Sequence, residues 1–230
     1  YPGPVHISLP VDIMFSSFAP DAGLHERPFN RNDRPVPRAW PDPLALELVL
    51  DLVKKAKRPV IIGGHGIWWS RSEDKLEAVG KQMRLPIFNV PYHSKLLGEE
   101  CEAYMGLADF HQYHPSKAAI HQADLILLIG GRLDNQMNFG NPPFFPANQT
   151  LICINGSHEE LEYNQAADEV LLSDPGAFFD ALLALGETWP AWFDLQRERR
   201  AAWVDDWYTH IDAETAKPGK MHPLQLSLDV

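Results

Sequence analysis

Short apolar runs that end in glycine or other turn residues recur along residues 58–185. The run Pro59–Ile62 ends in Gly-Gly-His-Gly, and the run Asp124–Ile129 ends in Gly-Gly-Arg. An apolar run without polar alternation is typical of a strand that is covered on both faces, as strands of a parallel sheet are. Further runs at residues 86–88, 150–154 and 169–172 complete the set of predicted strands.

Helical segments separate these runs. Asp42-Pro43 is a helix start, with an N-cap followed by proline at the first helical position, and Asp174-Pro175 is another. A further helix is predicted over Ser72–Met83, with Leu76 and Val79 inward. Strands that alternate with helices or long loops predict an α/β fold with a doubly wound, mainly parallel, Rossmann-like sheet over residues 42–186. The first helix is predicted to carry one apolar face of Leu44, Leu48, Leu52 and Ala56.

The segments that flank this domain have a different character. Residues 3–13 alternate like a half-buried strand that has no partner nearby in sequence, and residues 18–41 have the composition of a linker. Residues 187–220 hold an aromatic-rich segment, predicted as a long helix with one aromatic face, and a second linker. Residues 221–230 begin a new amphipathic element. We expect residues 1–17 and 221–230 to belong to other bodies of a longer polypeptide.

Composition excludes some classes of function. The formal net charge of -11, without a cluster of Lys and Arg, argues against nucleic-acid binding. Apolar runs stay well short of the ~20 residues that span a bilayer, so we expect no membrane partner. The two cysteines, Cys101 and Cys153, are far apart, which suits the reducing environment of the cytoplasm.

Candidate binding residues stand where the predicted strands end. Gly63, Gly64 and Gly66 occupy the position of a phosphate loop, after a buried strand and before a helix. The same glycines also suit a tight turn that binds nothing. Arg132, after Gly131, could hold a phosphate or pair with a neighbouring Asp, and Asn155 ends another strand at the same edge.

No catalytic constellation is recognisable in the sequence, and we assign no catalytic residue. Ser and Cys residues lack the context of an activated nucleophile, and Cys153 lies within a strand, where an inert thiol is expected. His111, His114 and His121 do not have the spacing of a structural zinc site, so we assign no metal ligand.

The order of these segments resembles the thiamine-diphosphate-dependent enzymes, in particular acetolactate synthases and 2-hydroxyacyl-CoA lyases. It is carried by GPVHISLPVDI, a Pro-rich linker, RPVIIGGHG, ADLILLIGGRLDN, TLICING and a strand leading into DPGAFFDALLAL. The resemblance implies that residues 1–17 are the last strand of a pyrimidine-binding domain. It implies that residues 42–186 are the central domain and that residues 221–230 start a pyrophosphate-binding domain.

The resemblance also implies a largely structural role for this chain. In such enzymes the glutamate that activates the cofactor precedes this segment, and the motif that binds Mg²⁺ and diphosphate follows it. Thiamine diphosphate and Mg²⁺ would therefore bind elsewhere in the intact enzyme, which forms or cleaves C–C bonds next to a carbonyl. The implied partners are the other domains of the same polypeptide and further copies in a homo-oligomer.

Some members of the family hold FAD or ADP in the central domain, and the matching positions here are the candidate residues named above. Flavin-containing members carry an acidic residue where this chain has Asn155, and a Gly-x-His-Gly turn where it has Asp109–Gln112. These departures predict an empty, vestigial nucleotide site. The alternatives are a stand-alone FAD- or NAD-binding domain, or an interaction module that uses the aromatic helix.

Overall fold

The computed structural model describes residues 6–17, 38–91, 96–109, 115–164 and 166–215. The chain divides into two compact units, Tyr1–Pro37 and Arg38–Val230. In the first unit, residues 6–10 have no regular secondary structure and a short helix, α1, covers Val11–Met14. The strand predicted over residues 3–13 is therefore wrong for the residues described. A strand needs a neighbouring strand for its hydrogen bonds, whereas Met14 N–H bonds locally to Pro10 O at 3.0 Å.

The second unit contains six strands and seven α-helices within the described residues. The strands are β1 (Pro59–Gly63), β2 (Ile87–Asn89), β3 (Tyr104–Leu107), β4 (Leu125–Ile129), β5 (Thr150–Asn155) and β6 (Glu169–Leu172). The helices are α2 (Pro43–Lys55), α3 (His65–Ser70), α4 (Glu73–Met83), α5 (Pro115–Gln122), α6 (His158–Glu162), α7 (Pro175–Leu185) and α8 (Pro190–Thr215), with a 3-10 helix at Asn135–Gly140.

All six strands pair in parallel in the order β3-β2-β1-β4-β5-β6. This confirms the predicted doubly wound α/β fold. Every residue of β1 and of β4 is buried, as the continuous apolar runs predict. Helix α4 packs against α7, and α5 packs against α8. The strand order shows that β1 lies in the middle of the sheet. Strands β2 and β3 follow on one side of β1, and β4, β5 and β6 follow on the other.

Strand β3 is absent from the sequence prediction. Its four residues, YMGL, contain Gly106, whose φ is 106°, and the register against β2 shifts at this point. A glycine inside so short a run, with an irregular ladder beside it, weakens the sequence signal for a strand. The edge strand therefore forms through pairing with β2, and the local pattern gives little sign of it.

Helix α2 begins as predicted, but only the second half of its predicted face reaches the core. The Asp42 carboxylate accepts hydrogen bonds from Leu44 N and Ala45 N, both at 3.0 Å. Val49 and Val53 are buried and Leu52 and Ala56 pack partly buried against the core, whereas Leu44 is 77% exposed and Leu48 is 48% exposed. The helix carries two overlapping apolar stripes, and the sequence alone does not decide which one meets the sheet. The stripe that contains Val49 and Val53 meets the sheet.

The aromatic helix α8 is confirmed, but its single aromatic face is confirmed only at the start. Trp192 and Phe193 are buried, and the indole N–H of Trp192 donates to Pro59 O at 2.9 Å. Further along, Trp203 stacks on Trp207 at 5.4 Å between ring centroids, and Trp207 remains 40% exposed. The first turns thus anchor the helix to the domain, and the later turns extend into solvent. None of the helices in the described ranges has the length and apolar content that crossing a membrane requires.

Candidate functional site

The crevice of this sheet lies between β1 and β4, where the strand order reverses. In open α/β sheets ligands bind outside the carboxyl ends of the strands at this reversal. Gly64 and Gly66 follow β1, and Gly130 and Gly131 follow β4, so the predicted glycines do come together there. We call these four residues the glycine seam.

The amides of Gly64 and Gly66 are used within the protein. Gly64 N–H donates to Ile129 O at 2.8 Å, and Gly66 N–H donates to Gly130 O at 2.8 Å. A phosphate loop works because its amide groups point at the ligand. Here those two amides join the turn after β1 to the turn after β4, so they do not form an anion cradle.

The spacing across the seam explains why glycine is needed. A Cβ on Gly64 would lie 2.4 Å from Gly131 Cα, and one on Gly66 would lie 2.7 Å from Gly130 Cα. Both obstacles are backbone atoms, which cannot move aside as a flexible side chain can. The glycines therefore permit two turns to pack directly on each other. Gly63 faces side chains instead, because its Cβ would lie 2.9 Å from Leu96 Cδ1.

Arg132 is engaged by a glutamate. Its Nε lies 2.8 Å from Glu160 Oε2, its Nη2 also bonds Glu160 Oε1, and its guanidinium lies 4.5 Å from the centroid of the Tyr163 ring. Of the two expectations for Arg132, the structure shows an ion pair, and its carboxylate is that of Glu160 on α6. A bidentate carboxylate occupies the same planar fork that would bind a phosphate.

Asn155 and Asn164 complete the edge of the crevice. Asn155 is buried, and its Oδ1 accepts a hydrogen bond from Ser157 N at 3.1 Å, so this oxygen serves a local turn. Asn164, which the sequence prediction does not include, is also buried. Its Oδ1 accepts from Leu133 N at 2.8 Å, and its Nδ2 donates to Gly131 O at 3.3 Å. The residue pins the segment after β4, and a lone Asn in a loop gives no periodic signal that would reveal it.

Burial shifts the pKa of two titratable groups in the sheet, Cys153 and Tyr104. Burial, and then the nearby Asp168 carboxylate, raises the pKa of Cys153 to about 12, in line with the inert thiol predicted. Burial also raises the pKa of Tyr104. Among the described residues there is no group of three His, Cys, Asp or Glu side chains that could hold a metal ion. His111, His114 and the stretch 110–112 lie outside the described residues.

In the described crevice the amides of Gly64 and Gly66, two guanidinium nitrogens of Arg132 and Asn155 Oδ1 are paired internally, so these groups as they stand do not offer a diphosphate site. The strand order and the switch point define the chain as an open parallel α/β domain of the dinucleotide-binding type. At this crevice the turn after β1 packs directly on the turn after β4.

The family described as thiamine pyrophosphate enzyme, central domain, matches residues 46–182, and the chain belongs to this family. It is 28% identical to 2-hydroxyacyl-CoA lyase 1 of Dictyostelium discoideum, over 72% of this chain and 26% of the relative. It is also 28% identical to the acetolactate synthase large subunit of Lactococcus lactis subsp. lactis (strain IL1403), over 81% of this chain and 32% of the relative.

Solved structures give the same fold. The crystal structure of benzoylformate decarboxylase from Polynucleobacter necessarius superposes with a TM-score of 0.57 at 20% identity, over 67% of this chain and 29% of that chain. The chain thus spans about a quarter to a third of the length of these relatives. These matches give no support to a stand-alone flavin or NAD domain, or to an interaction module.

Proposed function

We propose that this chain is the central, largely structural domain of a longer thiamine-diphosphate-dependent enzyme that forms or cleaves C–C bonds next to a carbonyl. The observation that carries the proposal is the match of residues 46–182 to the central-domain family, together with relatives three to four times longer than the matched segment. The cofactor supplies an electron sink for the carbanion that such reactions require.

The reactive groups then lie outside these 230 residues. In support, residues 46–182 match the central domain of the family, and the Gly64 and Gly66 amides donate to backbone carbonyls. Residues 1–17 and 221–230 would belong to the pyrimidine- and pyrophosphate-binding domains, with residues 42–186 between them. Mg²⁺ would accompany the cofactor in those domains.

In this proposal, residues 63, 64, 66, 131, 132 and 155 maintain the fold in the position where some family members bind FAD or ADP. The internal pairing of Arg132 with Glu160 and of Asn155 with Ser157 supports an empty crevice. The enzyme would be a cytoplasmic homo-oligomer. Cys101 and Cys153, both free and buried, suit a reducing compartment.

Calorimetric titration tests whether thiamine diphosphate binds to the longer polypeptide and not to this chain alone. The longer polypeptide should bind thiamine diphosphate in the presence of Mg²⁺ and turn over a 2-oxo acid or a 2-hydroxyacyl-CoA. The 230-residue chain should do neither, and titration with ADP should give no heat of binding. Stoichiometric binding of thiamine diphosphate by the 230-residue chain would contradict the proposal, as would a purified chain that carries flavin.

A further inference from the structure

The segment that leads into the second compact unit lies against the turn between β6 and α7. It covers residues 38–42, has no regular secondary structure and ends where α2 begins. The carbonyl oxygen of Ala39 accepts a hydrogen bond from Asp174 N at 2.7 Å, and Pro41 is buried. The Arg38 guanidinium reaches the same turn, since its Nη1 lies 3.4 Å from Asp174 Oδ1. We call residues 38–42 the entry strap.

The Asp174 carboxylate also holds α3. Ser70 Oγ, at the last residue of α3, donates to Asp174 Oδ1 at 3.0 Å, and the same oxygen accepts from Gly176 N at 3.0 Å. Ser70 and Asp174 are both buried, and hydrogen bonds are stronger away from water. One buried carboxylate therefore joins the entry strap, the end of α3 and the start of α7.

Helix α3 begins at the glycine seam. Gly64 is its N-cap, and Gly66 N–H donates to Gly130 O at 2.8 Å. The helix has six residues, so its two ends are about 9 Å apart at 1.5 Å per residue. A short helix is a rigid element that can carry a displacement from one end to the other. A shift at Ser70 would therefore reach the turn after β1.

The contacts at Asp174 depend on one another. Each of them holds the same residue in one position, so a contact that is already made lowers the conformational entropy that the next one must overcome. Contacts within one network of hydrogen bonds and ion pairs are non-additive for this kind of reason. Loss of the Arg38 contact should therefore weaken the hold on Ser70, and loss of the Ser70 contact should weaken the hold on the strap.

We propose that Asp174 is a coupling residue, which links the position of the entry strap to the position of α3 at the switch point. The segment through which the chain enters this unit and the turn at the crevice of the sheet then respond together. All the groups that make this link lie within the 230 residues, so the coupling does not depend on the proposed function.

Amide hydrogen exchange of the 230-residue chain, resolved by NMR, tests the coupling from the side of the strap. The Asp174 amide reports on the strap because its acceptor is Ala39 O. The Arg71 amide, which donates to Trp68 O at 3.0 Å, reports on α3. The variant R38M should speed exchange at both amides about two- to fivefold, the range expected for the loss of an exposed ion pair.

K54M is the matched control for R38M. Lys54 Nζ lies 3.4 Å from Asp51 Oδ1 in an exposed ion pair on α2, so K54M should leave the two reporter amides at their original rates. Unchanged exchange at Arg71 in R38M overturns the proposal, because the strap would then move without α3. Equal acceleration at the Thr150 amide, which lies at the opposite edge of the sheet, indicates global unfolding and overturns it as well.

The reciprocal variant S70A tests the coupling from the side of α3. It should speed exchange at the Asp174 amide about two- to tenfold, as expected for the loss of a buried hydrogen bond. S72A is its control, because the Ser72 hydroxyl is also buried but donates to Ile67 O at 3.4 Å. An Asp174 amide that exchanges at the same rate in S70A and S72A contradicts the coupling.

Discussion

Replacing Gly64 by alanine should be among the most destabilising single-methyl substitutions in this domain. The added Cβ would lie 2.4 Å from Gly131 Cα and 2.5 Å from Gly130 O, whereas carbon atoms prefer separations of about 3.5–4.0 Å. The turns after β1 and β4 would have to separate by about 1 Å or more to accept it. That separation breaks the packing at the centre of the sheet.

The cost follows from two contributions. Overpacking of a well-packed core costs about 1–3 kcal/mol. Separation of the turns also weakens the hydrogen bonds Gly64 N to Ile129 O and Gly66 N to Gly130 O, each with a net contribution of about 0.5–1.5 kcal/mol. We expect a loss of about 2–6 kcal/mol in the free energy of unfolding, a large fraction of the 5–15 kcal/mol typical of a domain.

Urea denaturation and calorimetry of the 230-residue chain measure the effect. With about 2–4 °C of melting temperature per kcal/mol, Gly64→Ala should lower the midpoint by roughly 4–24 °C. Gly156→Ala is the matched control: its nearest neighbour would be Ser173 O at 3.8 Å, so we expect a change of about 1 kcal/mol or less, of either sign. If Gly64→Ala costs less than about 1 kcal/mol, the packing role is refuted. Unchanged stability together with loss of ADP binding would restore the phosphate-loop interpretation.

Three further predictions concern other parts of the domain. Arg71 ends α3 in the left-handed conformation, with φ 52°, so Arg71→Gly should raise the free energy of unfolding by up to about 1 kcal/mol in urea titrations; a decrease would contradict this. Asp174→Ala removes the cap on Gly176 N and leaves the buried Ser70 hydroxyl without its acceptor. The free energy of unfolding should fall by about 2–4 kcal/mol in the same assay. The control Asp180→Ala, at an exposed carboxylate on α7, should lower it by less than about 1 kcal/mol. Cys153 ionises near 9.0 when unfolded and at about 12 when folded, so the protein should lose stability as pH rises through that window, and Cys153→Ala should flatten this part of the pH profile.

Sequence patterns predict this fold well where the signal is local. Continuous apolar runs identify β1, β4 and β5, because central parallel strands are buried on both faces. The acidic N-caps at Asp42 and Asp174 mark two helix starts to the residue, because the cap is a bond between side chain and backbone within three positions. Both kinds of signal are complete within a few residues of the chain.

The missed features depend on contacts distant in sequence. Strand β3 forms by pairing with β2, and α2 turns Val49 and Val53 to the core because the sheet selects between two apolar stripes. Arg132 meets Glu160, 28 positions later, when α6 packs beside β5. No local period encodes any of these choices, and tertiary packing overrides propensity in each case.

The glycine seam shows that a glycine-rich motif in a sequence can be interpreted as a binding site only with the structure. A glycine-rich turn after a buried strand can have either of two roles. Its amides can approach a bound anion, or its backbone can pack closely on another segment of backbone. In this domain the second glycine pair, Gly130 and Gly131, stands opposite the first across the switch point. Each turn therefore packs directly on the backbone of the other. The nucleotide-type topology here joins the two halves of the sheet through β1 and β4.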